Sequence, residues 1–452
     1  PSTTITVPSQ AFYPRNQPTV LSGTAVDWRN FPATEAKSGL LKVELAIRDG
    51  AGDYWDGTAA FTPVVTYRVV STNTADPAAW TYPPSNPAGD VLPPFADGAA
   101  YSVRVRASDK TGNVESPDIV YSFTYDAQAP TTTITMPLDN SYATAFTVSS
   151  GTYVEATSNL TAMYVAVRDV FGNWWDGAGW SAFGAPSWRT AQVHQSSWVY
   201  TDATLSADIA AKAQPRTYTF YARGIDGAGN ENRGGGQPAN PGLDVQSSDL
   251  RVDYFAPVSS FTYPLEGSAV GNAALVTPIT GTADDQSGGG TPGYGVAQVR
   301  LKAIRIDSVG TRAYWDGLST WQVADPGFNL TSTLLGGAQT VVPFESQSVL
   351  LPESAFLDSY RYQLVSRAND LAGFTETAYS TRTFIVDRST PTATIQQPDR
   401  PYSSTGTLVF SSGSFTEPAG AGGVPSGLSQ VLIQLEDVSD LATPSHVVPL
   451  CG

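Results

Sequence analysis

Ile47–Gly57 reads IRDGAGDYWDG, and the chain writes it twice more: VRDVFGNWWDG at Val167–Gly177, and IDSVGTRAYWDG at Ile306–Gly317 with one extra residue. Each copy ends an alternating apolar and polar run, turns on Gly or Asp, and lands on an aromatic pair followed by Asp-Gly. A strand, a tight turn and a second strand are written this way. The stretch also fixes a ruler, because other landmarks recur at set distances from it.

An opening strand recurs as Thr3–Pro8 (TTITVP), Thr131–Pro137 (TTTITMP), Ser259–Pro264 (SSFTYP) and Thr392–Pro398 (TATIQQP). A second strand recurs around Gly23, Gly151, Gly281 and Gly413, which lie 128, 130 and 132 residues apart. A third, LLKVELAIRD in the first copy, sets Val43, Leu45 and Ile47 on one face and Lys42, Glu44 and Arg48 on the other. Later, Tyr101–Asp109 alternates with Tyr101, Val103, Val105 and Ala107 inward; Tyr218–Asp226 and Tyr362–Asp370 are its counterparts. Hairpins DKTGN, DGAGN and DLAGF follow, and each full repeat closes on Asp, three residues and Pro: Asp126 to Pro130, Asp253 to Pro257, Asp387 to Pro391. The second copy inserts Ser206–Ala213 (SADIAAKA), a short helical pattern with Ser206 as its N-cap.

Seven or more short strands per repeat, with turns at regular intervals, predict an all-β chain of tandem immunoglobulin-like antiparallel β-sandwich domains arranged end to end. The boundaries fall at 1–129, 130–256 and 257–390, with a partial fourth domain at 391–452. That fourth copy keeps Gly413 and the strand Leu428–Asp437 but has no aromatic-Asp-Gly motif and no Tyr-led strand. The expectation is a piece of a longer protein whose next residues finish the domain. No signal peptide opens the chain, so Pro1 reads as a mature or fragment N-terminus.

Composition excludes several classes. The formal charge of −16 argues against nucleic acid and anionic membrane surfaces as partners. No apolar run reaches the ~18 residues of a membrane helix, so no membrane insertion is expected. One cysteine, Cys451, precludes an internal disulfide, and the two histidines, His194 and His446, lie in different repeats without zinc-site spacing. A glycosidase would need two carboxyls across one cleft. Catalytic sites are singular, whereas nearly every notable feature here recurs; only the Gly-rich inserts Arg233–Pro241 and Ser287–Gly295 do not. No enzymatic activity is expected.

The A-x-D-x-x-G-N hairpin (Ala107–Asn113), the closing Asp and the Ala-Pro or Thr-Pro linker together resemble tandem bacterial Ig-like, or fibronectin-III-like, repeats of large secreted and cell-surface proteins. Tyr101 and Tyr362, each with an Asp four residues upstream (Asp97, Asp358), resemble the tyrosine corner of such sandwiches; Tyr218 has Gln214 there instead. The resemblance implies an extracellular or cell-surface location and a stalk, spacer, filament or surface-layer role. Its partners would be other copies of itself or other surface proteins.

Four sets of residues are candidates for binding. The pairs Tyr54-Trp55, Trp174-Trp175 and Tyr314-Trp315 offer rings that would stack on glycans if one of each pair is exposed, making the chain an adhesin. Otherwise one ring packs inward and one lies under the loop. Asp49, Asp53 and Asp56, with Asp169, Asn173 and Asp176 in the second copy, have the hard oxygens that calcium prefers. Against calcium, the third copy puts Arg312 in that loop, and Asp in Asx-turns needs no metal. Hairpin acids Glu115 and Glu231 and linker acids Asp126, Asp253 and Asp387 pose the same choice at the junctions: calcium as in cadherin-like strings, or stiffness from Pro alone. Asn159 and Asn329 head N-x-T glycosylation acceptors.

Overall fold

The computed structural model describes residues 1–27, 37–72, 76–84, 89–182, 184–212, 214–232, 246–271, 273–286, 292–396, 413–418 and 422–433. It is an all-β protein of Ig-like β-sandwiches in tandem. Two compact units are distinguished, one built mainly from 1–141, 146–210 and 217–250, the other mainly from 251–452.

In the first copy, Ser2–Val7, Leu21–Val26 and Ala78–Tyr82 form a three-stranded sheet. It faces a seven-stranded sheet running Phe12–Tyr13, Ile119–Tyr125, Ala100–Asp109, Leu40–Asp49, Tyr54–Trp55 and Phe61–Thr62, with Arg68–Thr72 also on Leu40–Asp49. The opening segment serves both sheets: Ser2–Val7 runs antiparallel to Leu21–Val26, then Phe12–Tyr13 runs parallel to Ile119–Tyr125. Pro8 between them has no N–H to continue the ladder. Alternation behaves as the sequence implies, with Val43, Leu45, Ile47, Val103, Val105 and Ala107 buried together. Outward Glu44 is held by Lys42 at 2.7 Å and Arg106 at 3.2 Å.

The second copy pairs Thr131–Met136 with Ser149–Val154 and Ser149–Val154 with Ser197–Tyr200. Leu160–Asp169 pairs along Arg216–Asp226, from Leu160 opposite Asp226 to Asp169 opposite Tyr218. The helix spans Ala203–Ala210, three residues ahead of the expected start. Asp202 caps it instead of Ser206, its Oδ1 accepting from the N–H groups of Thr204 and Leu205 at 3.0 Å each. Leu205 and Ile209 are the helix's buried face.

In the third copy the two halves join into one ten-stranded sheet, because Leu330–Leu334 pairs with both Val296–Ile306 and Val341–Ser346. The fourth copy contributes a two-stranded ladder, Thr392–Ile395 with Gly413–Thr416. Residues 428–433 of the expected strand Leu428–Asp437 are not in a strand, and the rest, like Cys451, His446 and Arg233–Pro241, lies outside the described residues.

The recurring aromatics supply each core. Trp55 packs on Phe61 and Phe61 on Tyr101, with ring centroids 5.3 and 6.0 Å apart. Trp175, Trp180 and Tyr218 repeat the cluster at 5.4 Å for both pairs, and Trp315, Trp321 and Tyr362 at 5.4 and 5.7 Å. The corner hydroxyls are used as expected: Ala96 N–H donates to Tyr101 Oη at 2.9 Å, and Leu357 N–H to Tyr362 Oη at 2.6 Å. The upstream acids do something else. Asp97 and Asp358 accept from Ala127 N–H at 2.6 Å and Arg388 N–H at 2.5 Å, fastening the exit of the closing strand.

Candidate metal centre and the aromatic turns

Most of the candidate residues lie in the aromatic turns. Trp55, Trp175 and Trp315 are buried, and each indole N–H has an acceptor: Val91 O at 2.8 Å, Asp202 Oδ2 at 2.8 Å and Leu350 O at 2.7 Å. Their partners Tyr54 and Trp174 are buried too, at 8% and 4% exposure, and Tyr314 is half-buried. A basic side chain from the adjacent strand covers each outer ring: Arg48 over Tyr54 (5.8 Å), Arg168 over Trp174 (5.5 Å), Lys302 over Tyr314 (5.9 Å). The pairs clamp the turn to the sheet, one ring inward and one beneath a cation.

The turn acids are occupied by their own backbone. Asp49 Oδ1 accepts from Gly52 and Asp53 N–H, both at 2.9 Å. Asp169 Oδ1 accepts from Phe171 and Asn173 N–H, and its Oδ2 from Asn173 Nδ2. Asp56 takes the N–H groups of Thr58 and Ala59; Asp176 takes those of Ala178 and Gly179 and the Ser181 hydroxyl. These bonds favour the ionised form and hold Asp56 down to about 2 and Asp176 below its ordinary value. The structure does not gather Asp49, Asp53, Asp56, Asp169, Asn173 and Asp176 into a shared carboxylate cluster. Asn159 is exposed at φ 63°, while Asn329 is half-buried with Nδ2 donating to Trp315 O at 2.9 Å.

Acids do converge elsewhere. Among the described residues there are two such groups, Asp126 with Glu155 and Asp226, and Asp253 with Asp285 and Asp370, each offering carboxylate oxygens within 4.8 Å of one another. The first lies in the first unit and the second in the second. Both are assembled the same way. One acid closes the strand that leads into a sandwich (Asp126, Asp253), one follows the glycine strand (Glu155, Asp285), and one opens the D-x-x-G hairpin (Asp226, Asp370). Of the junction acids named from sequence, Asp126 and Asp253 belong here. Glu115 instead ties Thr3 N–H (2.8 Å) to Ala107 N–H (3.1 Å) within its own copy, and Glu231 pairs with Arg223 at 3.5 Å.

Backbone N–H groups reach every cluster acid, and Asp253 accepts them on both oxygens, its Oδ1 from Tyr254 N–H at 2.7 Å. Asp226 Oδ1 accepts from Gly229 and Asn230 N–H, both at 2.7 Å, and Glu155 Oε1 from Thr157 N–H at 2.7 Å. Asp253 Oδ2 accepts from Tyr294 N–H at 2.9 Å, and Asp285 Oδ2 from Gly295 N–H at 2.6 Å. Asp370 Oδ1 accepts from Gly373 and Phe374 N–H at 2.6 and 2.8 Å. Burial pushes Asp285 up to about 6, aided by the Asp253 and Asp370 carboxylates against the lowering pull of Gly295 N–H. Burial also raises Asp126 and Asp370 above the ordinary carboxylate value.

No known protein-family model matches the chain, and no curated protein matches it. Solved structures do. A tetra-tandem repeat from the extending region of a large adhesion protein is 16% identical, covering 90% of this chain and 87% of that one at a TM-score of 0.27. A 1.5-MDa bacterial ice-binding adhesin is 11% identical over 84% and 94%, TM-score 0.30. A Ca²⁺-stabilised adhesin of an Antarctic bacterium is 14% identical over 88% and 78%, TM-score 0.28. The β-sandwich class rests on this chain's own strand pairing.

Proposed function

We propose that the chain is a structural repeat array of the cell exterior, a stalk, spacer or filament component with no catalytic role. The observation that carries the reading is repetition of the parts that hold shape. The same aromatic clamp and Asp-capped turn recur in all three sandwiches, and the tyrosine corner recurs in two of them. Selection for a binding surface would instead leave large rings exposed, and five of the six turn rings are buried. The domains are those bounded at 129, 256 and 390, and the partners are other copies of the chain or other surface proteins. Calcium in this reading is a structural ion. No helix among the described residues is long and apolar enough to cross a membrane.

Small-angle scattering of the full chain tests the array. Three sandwiches in line, each with strands of about 10 residues at ~3.3 Å rise, add roughly 35–45 Å apiece. An elongated particle of that increment supports the reading, and a compact globule overturns it. A glycan array with no binding above background completes the test.

A further inference from the structure

We propose that the two acid clusters are sites for a hard divalent cation of the calcium type, held by Asp126, Glu155 and Asp226 in the first unit and by Asp253, Asp285 and Asp370 in the second. Clustered carboxylates alone would not carry this. What does is the set of oxygens left over. Asp126 Oδ2, Asp285 Oδ1 and Asp370 Oδ2 are buried with no hydrogen-bond partner, and their residues are 0%, 0% and 4% exposed. A buried carboxylate oxygen without a donor costs free energy unless a charge meets it. Among the described residues no ion pair neutralises any of the six acids. Three acids per cluster, with oxygens within 4.8 Å, are spaced to converge on one ion with Ca–O distances of about 2.3–2.6 Å. With only oxygen donors and no His or Cys in either cluster, the chemistry suits calcium rather than zinc.

The chain shapes the surroundings for this. Gly293 donates its N–H to Asp285 O at 2.7 Å, and a β-carbon there would stand 2.4 Å from Asp285 Oδ2, so only glycine leaves the carboxylate in place. The acid after the glycine strand stands four residues past the glycine in every copy: Asp27, Glu155, Asp285 and Glu417 after Gly23, Gly151, Gly281 and Gly413. At the entry to the fourth copy, Asp387 and Glu417 are again neighbours, both bonded to Ser426: its N–H to Asp387 Oδ2 at 2.8 Å and its hydroxyl to Glu417 at 3.1 Å. The ion would tie the segment entering a sandwich to two acids of that sandwich. The proposal adds a ligand to the structural reading and does not depend on it, since the scattering test above needs no cation.

The test is calorimetric titration of calcium chloride into the EGTA-stripped full chain, beside Asp126→Asn, Asp285→Asn and Asp370→Asn. Saturable binding at two or more sites is expected. Asp126→Asn should remove one binding event, and Asp285→Asn and Asp370→Asn should each remove the other. In stripped protein each variant should melt no lower than the parent, because a buried like charge has gone. Calcium should then raise the parent's transitions but not the transition belonging to the altered cluster. Absence of saturable calcium binding overturns the proposal, as does unchanged stoichiometry in the variants. Two variants from different ligands of the second cluster guard against a folding fault in either one.

Discussion

Trp80 lies across the sheet from Gly23 so closely that a β-carbon on Gly23 would stand 2.4 Å from Trp80 Cζ2 and 1.9 Å from Thr4 O. Trp198 and Thr133 O confine Gly151 in the same way, and Phe344 and Ser260 O confine Gly281. The glycine that marks the repeat period is therefore a seat for an aromatic ring and for the opening strand. Gly151→Ala should lower the stability of its sandwich by about 1–3 kcal/mol or more, since a backbone oxygen must move. Differential scanning calorimetry of the full chain should show one transition displaced and the others unmoved.

Trp175 is fully buried, packs on Trp180 and donates to Asp202, the residue that also caps the helix. Trp175→Ala should cost about 3–5 kcal/mol in its own sandwich, the range for truncating a buried aromatic. Trp175→Phe should cost less, because the ring contact is largely kept while Asp202 loses one donor. Domain-resolved melting separates the two, and an unchanged melting profile for Trp175→Ala would contradict a packing role.

Strand periodicity, the tyrosine corner and the turn aspartates were legible because each rests on local chemistry: alternation, a short-range hydroxyl bond, an Asx-turn. The acid clusters were half legible. Asp126 and Asp253 stood out beside Pro, yet their partners came from positions 29 and 100 residues further on for Asp126, and 32 and 117 for Asp253. The acid placed four residues after each landmark glycine is a signal, but a weak one, because carboxylates near turns are common. The aromatic pairs leave two readings open in the sequence, a stacking platform or a clamp. Period-two alternation sends one ring outward, but the overlying Arg48, Arg168 and Lys302 come from neighbouring strands and bury what alternation alone exposes. The helix starts ahead of Ser206 because Asp202 is an equally good cap and only Asp202 precedes the buried pair Leu205 and Ile209.

Acid should strip the turns of their caps. Asp56 is held down to about 2 by the N–H groups of Ala59 and Thr58. Asp109 is also held down to about 2, where hydrogen bonds from Asn113 and Thr111 outweigh the raising effect of burial. A carboxylate depressed in the folded state contributes stability that is full above its unfolded value near 3.8 and is lost as the pH falls through about 2. The difference in melting temperature between the parent and Asp56→Ala should therefore be constant from pH 7 to 5 and shrink between pH 4 and 2. A difference that persists undiminished at pH 2 would show that the charge contributes nothing.

Asn230 closes the second hairpin with its side chain turned back on the preceding linker. Its Nδ2 donates to Asp126 O at 2.8 Å and to Asp226 Oδ2 at 2.9 Å, and its Oδ1 accepts from Arg15 N–H at 3.4 Å. One amide thus touches the linker, the hairpin and the first sandwich, all within the first unit. The bonds to hairpin backbone come from Asp226, not from Asn230's side chain, so the hairpin itself keeps its cap when the amide is removed. Asn230→Ala should leave the melting of either sandwich within about 1 kcal/mol, because two of the bonds lost go to linker carbonyls, one is a long 3.4 Å contact from Arg15 N–H, and each is worth about 1 kcal/mol or less net. It should free the segment between Asp126 and Pro130, which loses its donor to Asp126 O. Limited proteolysis is the measure: cleavage between residues 126 and 130 should accelerate in Asn230→Ala at unchanged melting temperature. Equal cleavage rates in parent and variant would assign the stiffness of that linker to Pro130 instead.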